Sequence, residues 1–232
     1  DEALHIYGPE GIKRFVETAL SVSKSRLGYP VVYHEISQGG IVFEDQQFRV
    51  ECLPLDHGIA SFGYRVVESD HEGELQVEKL RELGIPSGPL YGRIKRGETV
   101  ELDDGQVIHG KEFLGEKKAG RVVTILGDTR KTPNSVELGR HADVLVHEST
   151  FNKDEAKMAK SYFHSTSHQA AEIALEAQAK HLILTHISAR YLTRDILQLE
   201  NEAKEIFPKV TAVKDLDCID IPFSQEETEE KL

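Results

Sequence analysis

The sequence is short of cysteine: Cys52 and Cys218 are the only two in 232 residues, and no CxxC pair occurs. That excludes a disulfide framework, fits a reducing compartment and casts both residues as buried thiols. No apolar run approaches the roughly 18 residues that a membrane-spanning helix needs. The opening stretch, Asp1-Glu2-Ala3-Leu4-His5-Ile6-Tyr7-Gly8-Pro9, lacks the basic and apolar regions of a signal peptide, so a cytoplasmic protein with no membrane partner is expected. Positive charge is also scarce. Lys plus Arg is 28 against 40 for Asp plus Glu, a net charge of −12. A global attraction to nucleic acid is thereby excluded, and any such partner must be held by a local basic patch. What is there is ordinary for a globular chain: 39% apolar and 29% charged residues exclude wholesale disorder. Eleven histidines are the number that stands out.

Leu4–Tyr7 alternates like a strand, and Gly11–Ser25 reads as an amphipathic helix with Ile12, Phe15, Val16, Ala19 and Leu20 on one face. Four β-like runs follow, at Val31–Ile36, Ile41–Phe43, Phe48–Leu53 and Phe62–Val67, and then a short helix over Val77–Leu83. From Val122 the pattern is strand–helix alternation. Strands are expected at Val122–Leu126, Val144–Val146, Leu182–Leu184, Val210–Val213 and Cys218–Ile221. Helices are expected at Pro133–Arg140, Lys153–Lys160, Ser167–Ala179 and Arg194–Phe207. Ser165-Thr166-Ser167 is a capping-capable start for the third of these. The tail 224–232 carries four glutamates in nine residues and reads as solvating surface.

Between these halves, residues 84–97 hold Pro86 and Pro89, four glycines and the cations Arg93, Lys95 and Arg96. Such a stretch is not expected to pack as a regular core element; it reads as a projecting arm. Its cations are either a solvated charge cluster or, flanked by Gly and Pro, a phosphate-contacting element.

Three apolar strands end in candidate metal ligands: Asp128, His147-Glu148 and His186. An earlier turn adds Asp56-His57-Gly58. In α/β proteins chemistry sits beyond the carboxyl ends of strands, and a carboxylate with imidazoles from separate strands suits a divalent ion with an open position for water. The bland alternatives stand beside this. A strand-end histidine is more often a polar bridge than a ligand, Asp128 in Gly-Asp-Thr is also a turn cap, and His164 before Ser165-Thr166 is also a helix-start residue. Spacing alone leaves a metal-dependent hydrolase open.

The assembled motifs are more specific. Tyr7-Gly8-Pro9, Pro54-Leu55-Asp56-His57-Gly58 with Phe62-Gly63-Tyr64-Arg65, Gly127-Asp128-Thr129-Arg130, Leu145-Val146-His147-Glu148-Ser149-Thr150-Phe151, His164-Ser165-Thr166 and Ile183-Leu184-Thr185-His186-Ile187-Ser188-Ala189-Arg190-Tyr191 occur in this order. With them the chain resembles the bacterial ribonuclease Z (tRNase Z) family, tRNA 3′-processing endonucleases of the metallo-β-lactamase superfamily. The resemblance runs from the first residue to about Phe223.

The resemblance implies an α/β fold, the αββα metallo-β-lactamase sandwich, over residues 1–223. It makes residues 84–120 an inserted flexible exosite arm and 224–232 an acidic tail. It implies an endoribonuclease that removes the 3′ trailer from precursor tRNA by metal-activated water and leaves a 3′-hydroxyl. His57, Asp128 and His186 would be metal ligands, and Glu148 would orient His164 as proton donor to the leaving oxygen. Gly88, Pro89, Arg93, Lys95 and Arg96 would contact tRNA. The implied cofactor is Zn2+, two ions per site in the complete enzyme, with Mn2+ or Mg2+ as alternatives. The implied partners are precursor tRNA and a second copy of the chain, with no DNA.

The family's HxHxDH signature is absent. The chain is therefore expected to be an N-terminally incomplete form that lacks its opening strands and, as given, holds metal poorly and cuts little. The alternatives are a different superfamily phosphodiesterase or hydrolase, or a catalytically dead tRNA-binding module.

Overall fold

The structure, a computed structural model, describes residues 2–102 and 105–223. It divides into two compact units. The first comprises residues up to Glu68 and Val122–Ile221, and the second holds Ser69–Arg121 with the last described residues. The acidic tail lies outside the described residues.

The first unit opens with β1 (Leu4–Pro9), α1 (Ile12–Ser23) and β2 (Val31–Ile36). β1 and β2 pair in parallel, Leu4 opposite Val31, and α1 makes the crossover. Ile12, Val16 and Leu20 are half-buried at helical spacing, whereas Phe15 and Ala19, expected on the same face, are exposed. The N-terminus of α1 is capped from a distance: Gly11 N–H and Lys13 N–H donate to Glu35 Oε1 at 2.7 and 3.4 Å.

β3 (Gly40–Glu44), β4 (Phe48–Pro54) and β5 (Phe62–Glu68) follow, antiparallel in turn. After the second unit come β8 (Val122–Ile125), α4 (Pro133–Gly139), β9 (Val144–Glu148), α5 (Ala156–Tyr162), α6 (Ser167–Glu176), β10 (Leu182–Thr185), α7 (Thr193–Lys204) and β11 (Val210–Ala212). Together they form a seven-stranded sheet in the order β11-β10-β9-β8-β5-β4-β3, parallel from β11 to β8 and antiparallel beyond. Leu145, Leu182 and Leu184 on β9 and β10 have no exposed surface, as expected for parallel strands covered on both faces. Ala170, Ala171 and Ala174 bring α6 against them into one core with Ile173, Leu138 and Phe207. Gly63 on β5 leaves room for this packing, since a Cβ there would lie 2.6 Å from a Leu126 methyl and 2.7 Å from a Leu138 methyl and force them to shift.

The second unit contains α2 (Val77–Glu82), α3 (Pro89–Lys95) and the hairpin β6 (Thr99–Glu101) with β7 (Val107–His109). Here the structure departs from the sequence expectation. Pro89 sits in the first turn of α3, where a missing N–H costs nothing. Ile94 from that helix is fully buried with Leu80, Ile85, Val100 and Ile108. The Gly-Pro stretch thus packs around a small apolar core of its own, and the compact unit extends from Ser69 rather than residue 84.

Two further expectations are corrected. Cys218–Ile221 forms no strand: it follows a turn at 215–216, and its residues Cys218, Ile219 and Asp220 are exposed, so its short apolar alternation has no neighbour to bury it. Cys52 is buried, but Cys218 is exposed. No helix among the described residues is long and apolar enough to cross a membrane.

Candidate metal centre

The sheet register gathers the candidate residues. Thr185 pairs with Glu148 and Ile125 with Val146, so β9 and β10 end level and β8 ends two residues short of them. Asp128, Thr150 and His186 therefore emerge along one edge. β5 runs antiparallel to β8, with Tyr64 opposite Ile125, which brings the β4–β5 turn carrying His57 to the same edge. His164 arrives last, immediately before α6. Thr166 caps that helix by accepting from Gln169 N–H, and Gln169 Oε1 accepts from Thr166 N–H in return.

Each imidazole is held through Nδ1. His57 Nδ1 lies 2.9 Å from the Phe163 carbonyl oxygen, which can only accept, so the proton is on Nδ1 and the Nε2 lone pair is free. His164 Nδ1 donates to Glu148 Oε1 at 2.8 Å. His186 Nδ1 lies 2.9 Å from Thr150 Oγ1, and its Nε2 is 3.5 Å from Asp128 Oδ1. The rings are close, with centroids 5.1 Å apart for His57 and His164 and 5.3 Å for His164 and His186.

Two sets of side chains offer atoms near enough to share a metal ion. His57, Asp128 and His164 form one, and Glu148, His164 and His186 the other, with the atoms of each set within 4.8 Å. Glu148 is a poor ligand because its oxygens are already engaged. Oε1 accepts from Thr129 N–H and His164, and Oε2 from Thr150 N–H, the Thr150 hydroxyl and Ser165 N–H. The free donors are imidazole nitrogens and the Asp128 carboxylate, a set whose chemistry fits zinc or a similar divalent ion. His147, a candidate by sequence, joins neither set. It is fully buried, its Nδ1 donates to the Glu148 carbonyl, and desolvation lowers its pKa so that it stays neutral.

The surrounding loops are locked by partners that sequence reading did not single out. The Arg130 guanidinium grips both oxygens of Asp56 at 3.0 and 2.8 Å and lies 4.4 Å over the Phe163 ring. Asp56 N–H donates to Thr129 Oγ1, and Ser165 Oγ donates to the Thr129 carbonyl. In the sequence they stand as motif neighbours of His57, Asp128 and His164, with no role of their own. Beside His164, a cavity of about 490 Å3 is lined by Asp56, Arg130, Lys131, Lys157 and Lys160.

The arm residues lie in the other unit and do not join this cluster. Gly88 precedes α3 and Pro89 starts it. Arg93 and Arg96 donate to the two oxygens of Glu98 at 3.0 and 2.8 Å, while Lys95 is exposed.

No family model matches the chain. It is similar to ribonuclease Z of Enterococcus faecalis, 66% identical over 226 residues that span 97% of this chain and 72% of that protein. It is similar to ribonuclease Z of Lactiplantibacillus plantarum at 54% identity, again over 97% of this chain and 72% of the relative. Among solved structures, the short form of human tRNase Z superposes with a TM-score of 0.62 at 26% identity, covering 96% of this chain and 69% of that one. A metallo-β-lactamase fold protein of Bacillus subtilis superposes with a TM-score of 0.56 at 18% identity over 92% of this chain and 63% of that one, a likeness of fold alone.

Proposed function

The chain belongs to the ribonuclease Z family, with a metallo-β-lactamase fold. From that premise we propose that it removes the 3′ trailer from precursor tRNA by hydrolysis, leaving a 3′-hydroxyl on the tRNA. One observation carries the assignment to this site: His57, His164 and His186 each have Nδ1 engaged, and the Nε2 of His186 lies 3.5 Å from the Asp128 carboxylate at the edge where the strands end.

His57 with Asp128, and His186 with Asp128, would hold divalent metal, zinc by donor chemistry. When bound, such ions lower the pKa of water and neutralise phosphoryl charge. The remaining work falls to the chain itself. As water adds to phosphorus and the bond to the ribose 3′ oxygen breaks, that oxygen needs a proton. His164 is the group to supply it from Nε2, because its Nδ1–H is committed to Glu148. The carboxylate stabilises the imidazolium and keeps the ring oriented. Lys157 and Lys160 line the cavity beside His164 and suit the phosphates of a bound strand.

In this reading the insert is the tRNA-holding arm, with Gly88 and Pro89 presenting Arg93, Lys95 and Arg96 to the polyanion. A cytoplasmic homodimer, in which one copy's arm holds the tRNA cut by the other, belongs to the same proposal.

The test is cleavage of a precursor tRNA with a 3′ trailer by the purified holoenzyme. The expected products are a tRNA ending in a 3′-hydroxyl and a trailer beginning with a 5′-phosphate. His164→Ala is expected to lower the single-turnover rate by about 10²–10⁴-fold while precursor affinity stays within about twofold. Hydrolysis of a small chromogenic phosphodiester without any precursor cleavage would overturn the assignment.

A further inference from the structure

Thr150 is buried to 8% exposure, and its single hydroxyl lies between both histidine-bearing loops. Its Oγ1 is 2.7 Å from Glu148 Oε2, 2.9 Å from His186 Nδ1, 3.1 Å from the His186 carbonyl oxygen and 3.3 Å from His164 Nδ1. A hydroxyl has one proton and two lone pairs, so not all of these contacts are donations. The carboxylate is the strongest acceptor and the nearest, and takes the proton. The proton on His164 Nδ1 has its own acceptor in Glu148 Oε1 at 2.8 Å. Thr150 Oγ1 is left as an acceptor facing His186 Nδ1, which satisfies it only by carrying a proton.

We propose that Thr150 is a positioning residue that fixes His186 in the Nδ1–H tautomer and so aims its Nε2 lone pair at the shared site with Asp128. His186 needs such a device more than His57 or His164. About half of its side chain is exposed, and its backbone is in the left-handed region at φ 50°. An imidazole open to water favours the opposite tautomer, whose Nε2–H cannot bind a cation. The resulting chain runs from His186 Nδ1–H to Thr150 Oγ1–H to Glu148, which also accepts from His164 Nδ1–H. One carboxylate thereby sets the proton positions of both imidazoles, directly for His164 and through Thr150 for His186.

The inference rests on His186 being a ligand, and the experiment separates the two. Nitrogen-resolved NMR of the metal-free protein reads the tautomer of His186, and titration with Zn2+ against a chelating dye reads affinity. Wild type and Thr150→Ser are expected to show Nδ1–H and to bind Zn2+ within about threefold of each other. Thr150→Val, which keeps the shape and removes the hydroxyl, is expected to shift His186 to Nε2–H and lose about 10–100-fold in affinity. His186→Ala reports on the ligand itself: unchanged affinity there sinks the ligand assignment. A loss in His186→Ala with none in Thr150→Val sinks the role of Thr150 alone. An Nε2–H signal for His186 in the wild type overturns the proposal whether or not Thr150→Val folds.

Discussion

Two carboxylates show how differently the two units use the same chemistry. Glu148, at the end of β9, is 1% exposed and accepts five hydrogen bonds from Thr129, Thr150, His164 and Ser165, up to 19 residues away. Glu98, in the insert, is 39% exposed and is held by Arg93 and Arg96, five and two residues away. Those two guanidiniums hold the Glu98 carboxyl below the usual carboxylate range. Buried and saturated, Glu148 has nowhere else to turn, so it fixes geometry. Glu98 sits in water, where exposed pairs contribute little and can be exchanged for another anion. A phosphate backbone is such an anion. The buried carboxylate holds its neighbours still, whereas in the proposed function the Glu98 pairs are given up for phosphate.

The sharpest way to break this contrast is Glu148→Ala. It strands several buried donors at once, each costing about 1–3 kcal/mol, so unfolding stability should drop by more than about 3 kcal/mol and cleavage should vanish. A denaturation midpoint no lower than that of Glu98→Ala would erase the distinction. Ile94→Ala comes next. It removes a fully buried side chain of the insert core, with about 2–5 kcal/mol expected. Hydrogen exchange should rise through residues 69–121 and leave β9 and β10 protected; loosening of both would make the units one cooperative body.

A smaller effect tests the exchangeable charges. Changing Arg93, Lys95 and Arg96 together to Ala should weaken precursor binding and reduce its salt slope by about 2–3, with the single-turnover rate at saturation intact. An unchanged salt slope would remove the insert from the binding surface. The smallest effect is on pH. Desolvation pushes the pKa of His147 below its ordinary 6.5, so the unfolded chain binds the extra proton first as pH falls. This contribution is complete above about pH 6.5 and is lost as pH drops below it, so the midpoint should decline there and decline less in His147→Gln.

Much of this was open to sequence reading. Apolar runs at Val122, Val144 and Leu182 mark their strands because continuous burial demands continuous hydrophobicity, and each run leads directly into its candidate ligand. The insert was half legible. Its glycines and prolines marked a boundary, yet they do not forbid a helix when Pro89 occupies the first turn and Ile94 finds Leu80 and Ile108. Cys218–Ile221 looked like a strand only because short apolar spacing is ambiguous without a neighbour to pair with.

By itself the sequence determined which residues could do chemistry, and that they stand at strand ends, because periodicity and turn residues are local properties of the chain. It also carried the family resemblance. Only the tertiary structure decided which partners each of those residues meets. His57 meets Phe163 across 106 positions, Arg130 meets Asp56 across 74, and Thr150 meets His186 across 36. Such pairings depend on strand register and helix packing, which bring together atoms that no local pattern relates. A tautomer is chosen by whichever atom lies within 3 Å of a ring nitrogen, and that neighbour exists only in the folded chain.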